Sequence, residues 1–120
     1  MATLSDDQKK NYIDQEIGKI INPYRRIIKD YALQRRVAAV EEFTVELFQQ
    51  LENFINLRFQ KSSLFLGKYR SQTQPIKNRI FSVSEDTEAV ETLPQYLNQL
   101  HGFTVEFLSI YSHLLRLSDD

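Results

Sequence analysis

The side chains able to do acid–base or metal chemistry in this 120-residue chain are few and scattered. Its two histidines, His101 and His113, are twelve positions apart. On one helix that spacing turns them about 120° around the axis and well over a turn along it, so they cannot grip one metal ion. No Glu-x-x-His or His-x-x-x-His pair exists, which removes the usual helical metal signatures. Glu42 and Glu46, with Glu41 beside them, are one turn apart, a spacing that suits paired ligands or an acid and a base. The same spacing is how helices ordinarily carry charge on a solvated face, and that is the reading taken here. No serine precedes a Gly-rich turn that would present it as a nucleophile, and no Gly-rich phosphate loop is present. The absence of cysteine excludes disulfides, thiolate zinc sites, iron–sulfur clusters and a cysteine nucleophile. The expectation is a protein that is not an enzyme and uses no cofactor and no metal.

The cations are more informative. Net charge is −1, which argues against overall attraction to nucleic acid or anionic membrane but not against a local patch. The charge is segregated: residues 1–18 sum to −2, 19–36 to +5, 37–56 to −4, 57–81 to +6 and 82–120 to −6. In the first basic block Arg25, Lys29 and Arg36 share one helical face, a stripe that can track phosphates. The second holds Arg58, Lys61, Lys68, Arg70, Lys77 and Arg79 with no acid at all, interleaved with Phe59, Phe65, Tyr69 and Phe81. Cations among aromatic platforms suit a phosphate backbone with unstacked bases. Against this stands internal neutralisation, for which the acidic C-terminal block is available. Exposure of Arg58, Lys68, Arg70 and Arg79 on one surface with Arg25 and Lys29 would favour nucleic acid; pairing with Glu85, Glu88 and Glu91 would disfavour it.

The elements that must carry these residues are helical. Three Gly and three Pro are few for a β-rich fold. Ser5 before Asp6 and Asp7 starts a helix, and Ile13, Ile17, Ile20, Tyr24, Ile27 and Tyr31 form a heptad seam across Asn22-Pro23, where a kink or hairpin is expected. From Pro23 to Phe59 there is no internal Gly or Pro. This predicts one long helix, or two nearly collinear ones, about which the rest packs. Its two apolar rows, Leu33, Val37, Val40, Leu47, Leu51, Phe54 and Ala38, Val45, Phe48, Ile55, Phe59, predict burial over a wide arc. Residues 60–84 read as an irregular basic connection with an exposed turn at 71–75 and a short extended piece at 79–84. A short helix from Ser84 to Leu93 precedes a last helix from Pro94, in which Gly102 would let a neighbour approach closely. Residues 40–48 and 100–108 echo each other, sharing Phe-Thr-Val-Glu, as an internal duplication or as two helices with similar core needs. Residues 1–4 and 118–120 are expected to fray.

Together these features predict a single all-α domain over residues 1–120, an up-down bundle of four or five helices. The functional expectation is a cytoplasmic, non-catalytic interaction or assembly subunit that binds other proteins, or itself, in a larger complex. The N-terminus lacks a secretory hydrophobic segment and no apolar run is long enough to span a membrane, so no membrane partner is expected. The alternative is a small helical subunit contacting an RNA or DNA backbone through basic residues 25–36 and 58–79, within a ribonucleoprotein or DNA-processing complex.

Overall fold

A computed structural model describes residues 4–85 and 88–116, apart from the side chains of Glu85 and Glu88. The fraying expected at residues 1–3 and 118–120 lies outside them. Among the described residues there are four long helices: α1 (Asp6–Leu33), α2 (Val37–Arg58), α3 (Leu66–Ser82) and α4 (Leu93–Ile110). Single turns of 3₁₀ helix lie at Ser62–Leu64, Val83–Glu85, Glu88–Thr92 and Ser112–Leu114. α1 packs against α2 and α4, and α3 packs against the same two, so α1 and α3 stand at opposite corners of an up-down square. The molecule measures 51 × 23 × 20 Å. No described helix is long and apolar enough to cross a membrane.

α1 begins as its sequence dictates. The Ser5 hydroxyl accepts from the Gln8 N–H at 3.2 Å, and the Gln8 carbonyl oxygen accepts from the Ser5 N–H at 2.9 Å, a reciprocal cap. Pro23 neither kinks the chain into a hairpin nor ends the helix, which runs through it to Leu33. Pro23 is exposed, on the face of the helix where the loss of its N–H as a donor is least costly.

The reversal comes later, and it divides the long helix expected over 23–59. Arg36 N–H donates to Tyr31 O and Arg35 N–H to Ala32 O, both at 3.0 Å, with Arg35 at φ 55. That is a Schellman stop with a left-handed residue just past the helix end. Arginine occupies the position where glycine is the usual signal, which hid the turn. Because the chain turns here, α2 has no wide buried arc near its start. Leu33, Val37, Ala38 and Val45 are exposed, while Val40, Leu47, Phe48, Leu51, Ile55 and Phe59 are buried.

Residues 60–84 are also not an irregular connection. They form α3, with Pro75 inside it and exposed. Its buried row is Leu66, Tyr69, Thr73, Ile76 and Ile80, in heptad steps. The polar Thr73 fits there because its hydroxyl donates to Tyr69 O at 2.8 Å. The expected extended piece at 79–84 is instead the end of this helix and a 3₁₀ turn.

The core is closed at one end by rings from three elements. Phe65 stacks on Tyr111 at 4.1 Å and meets Phe59 edge-on at 6.1 Å, with Phe107 5.3 Å from Tyr111. Gln60 N–H donates to Leu114 O at 2.8 Å and Arg116 N–H to Arg58 O at 2.6 Å, binding the chain after α4 to the end of α2. Deeper in, the hydroxyls of Tyr69 and Thr104 are 2.8 Å apart. Among the described residues no buried side-chain nitrogen or oxygen lacks a partner. The close helix approach expected at Gly102 is not there, since a Cβ on Gly102 would meet nothing within 4 Å. It lies at Gly18, where a Cβ would stand 3.4 Å from His101 Cε1. The echoed Phe-Thr-Val-Glu segments differ in setting: Val45 is exposed and Val105 buried, and Thr44 bonds its own helix while Thr104 bonds Tyr69.

Candidate interaction surface on the first helix

The nine cations singled out from the sequence divide between the two opposite corners. Those of residues 58–79 are largely engaged within the fold. Arg70 reaches across to Glu52 on α2, with Nη2 at 2.6 Å and Nε at 2.9 Å from one carboxylate oxygen. The Glu52 carboxylate raises the guanidinium's already high pKa through that hydrogen bond and its charge. Lys77 lies 5.3 Å over the Phe48 ring and 5.9 Å over that of Phe81. Arg79 donates to the Gln99 side chain at 3.2 Å. Arg58 is half buried at the closed end, Lys61 holds a left-handed turn at φ 56, and Lys68 is exposed. Of the interleaved aromatics, Phe59, Phe65 and Tyr69 are buried in the core and offer no ring face to a base. Burial pushes the Tyr69 hydroxyl far above the usual tyrosine range. The cations of residues 58–79 do not share one surface with Arg25 and Lys29, and Arg70 finds an acid on α2. The pairing weighed with Glu85 and Glu88 falls on side chains outside the described residues.

The cations of residues 25–36 behave differently. Arg25, Arg26 and Lys29 stand along the edge of α1 that faces α4, over a groove of about 330 Å³ floored by Leu93, Pro94 and Leu97. A second recess of about 450 Å³ shares Lys29 and Pro94 and continues past Leu33, Val90 and Glu91. Leu33, 56% exposed, and Pro94 supply the open apolar surface, while Leu93 and Leu97 beneath are buried. Arg25 Nε donates to the Asn22 side chain at 3.0 Å, which holds the guanidinium beside the groove, and Arg26 sits 3.9 Å from Asp30. Arg36, the third residue expected on this stripe, lies instead on the α2 side, 5.2 Å over the Tyr31 ring. Helical spacing puts Arg25 and Lys29 one turn apart; Arg36 leaves the face because the chain has already reversed.

Comparisons with family models, with curated proteins and with solved structures find no match.

The residues of acid–base interest do not gather here. His101 Nε2 is 2.8 Å from Asp14 Oδ1, tying α4 to α1, and His113 lies in the turn after α4. Glu46 accepts from the Tyr24 hydroxyl at 3.0 Å. Partial burial, reinforced by that carboxylate, raises the Tyr24 pKa. Among the described residues no three His, Asp or Glu side chains are placed to hold a metal ion. The groove floor was missed by sequence reasoning. Leu93 and Leu97 belong to the buried row of α4, and only the pairing of α4 with α1 turns Pro94 and Leu33 into a shared surface.

Proposed function

We propose that the protein is a non-catalytic helical interaction subunit that takes an acidic, amphipathic segment of a partner protein in the α1–α4 groove. The observation that carries this reading is the arrangement of Arg25, Arg26 and Lys29 along an open apolar floor. Apolar side chains of a partner would cover Leu33 and Pro94, and carboxylates beside them would meet the cations. A nucleic acid would use the same cations but has little use for an apolar floor, and three of the four α3 cations it would also need, Arg70, Lys77 and Arg79, are turned to Glu52, Phe48, Phe81 and Gln99.

The test is fluorescence anisotropy at about 50 and 200 mM salt with three probes: an acidic amphipathic helical peptide, a polyglutamate peptide and single-stranded RNA. The reading expects the amphipathic peptide to bind best and to keep part of its affinity at the higher salt, because apolar burial is not screened. RNA binding tighter than the peptide, lost between the two salts and weakened by Lys68→Glu, would replace it with the nucleic-acid reading.

A further inference from the structure

The opposite flank of α1 carries a second open surface. Ile20, Tyr24, Ile27 and Tyr31 follow one another at steps of four, three and four, and each is only half buried, whereas Ile13, Ile17, Ile21 and Ile28 are fully buried. Two recesses of about 360 and 460 Å³, sharing Ile27 and Phe43, run along this row. Phe43 of α2 stacks on Tyr31 at 5.3 Å. Steps of four and three are the spacing of a seam between two helices, and α2 covers only one side of it.

We propose that a second copy of this chain fills the groove, its α1 lying antiparallel to the first about a two-fold axis at the middle of the row. Four, three, four reads the same in either direction. An antiparallel copy therefore sets Tyr31 opposite Ile20 and Ile27 opposite Tyr24, each twice, with no polar residue against an apolar one. A parallel copy would match the apolar row equally well, so the charges decide. The outer wall of the groove carries Lys19, Pro23 and Asp30, all exposed. Antiparallel pairing keeps the two outer walls on one side of the contact and brings Lys19 within reach of Asp30 of the second copy; parallel pairing about an axis along the helices turns the walls to opposite sides and makes neither contact. The contact closes on itself, so assembly stops at two. It uses the flank of α1 away from α4, leaves the α1–α4 groove open, and does not depend on what that groove binds.

The chain has no cysteine, which permits a test of orientation as well as of association. Light scattering at concentrations up to about 100 µM should give twice the 14.2 kDa of one chain. Lys19→Glu should weaken the dimer about tenfold, since two like-charge contacts replace two opposite ones, and Lys19→Glu with Asp30→Lys should restore it. Circular dichroism of these surface variants shows that the fold is kept. Under mild oxidation, a mixture of Lys19→Cys and Asp30→Cys chains should cross-link into dimers containing one of each, while either chain alone should not. A monomer throughout, a dimer indifferent to both charge variants, or Lys19→Cys chains that cross-link to themselves more readily than the mixture would each overturn the proposal.

Discussion

The two ends of the bundle share ingredients and differ in what they do with them. Both place basic residues beside aromatic or apolar ones. At the closed end the rings of Phe59, Phe65 and Tyr111 are packed on each other, and the chain after α4 is bonded back to α2. At the other end Arg25, Arg26 and Lys29 border an apolar surface that none of the described residues covers. Proximity of cations and aromatics in sequence therefore does not identify a binding site. At the closed end the rings beside the cations are packed on each other while Leu57, Leu64 and Ile110 stand exposed, and at the other end Leu33 and Pro94 line a groove edged by cations.

The sharpest way to break that contrast is to truncate on each side of it. Phe65→Ala empties the centre of the ring cluster, and a stability loss of about 3–5 kcal/mol is expected in urea unfolding. Leu33→Ala at the open end should change stability by no more than about 0.5 kcal/mol. Comparable losses at both would mean that the open end is core as well.

A second probe lies just inside the closed end. Tyr69→Phe strands the buried Thr104 hydroxyl and should cost about 1–2 kcal/mol, most of it recovered when Thr104→Val is added. The same residue sets an alkaline limit. Its folded pKa is raised by burial, so above about pH 10 the unfolded chain releases the proton first. The stability it contributes is intact below that pH and falls as pH rises, by up to about 1.4 kcal/mol per unit. Tyr69→Phe should flatten this decline; an unchanged slope would mean that the hydroxyl reaches water.

The smallest effect concerns the turn that leads from the open end into α2. Arg35 sits at φ 55, and Arg35→Gly should raise stability by about 1 kcal/mol by removing the left-handed penalty. No gain would mean that the arginine side chain offsets its own strain.

Much of this architecture was legible in the chain. The Ser5 cap, the Ile13 and Ile17 stripe and a last helix opening at Pro94 follow from spacing and capping alone. The errors came from letting single residues outrank periodicity. Pro23 suggests a kink or hairpin and Pro75 a turn, but both are exposed within helices, where a missing N–H costs the least. Arg35 was not read as a stop, because no sequence rule distinguishes an arginine forced into the left-handed region from one on a helix. Thr73, polar yet buried, concealed the regular row of α3. The candidate surface was half visible: Arg25 and Lys29 share a face by spacing, whereas its apolar floor depends on which helix α1 packs against.

The most direct measurement of the central claim compares charge reversal at the two corners, reading anisotropy of the acidic amphipathic peptide. Arg25→Glu with Lys29→Glu should weaken binding at least about tenfold, and Lys68→Glu with Arg79→Glu should leave it within about threefold. Equal losses from both pairs, or a larger loss from the α3 pair, would contradict the assignment of the interaction surface to α1.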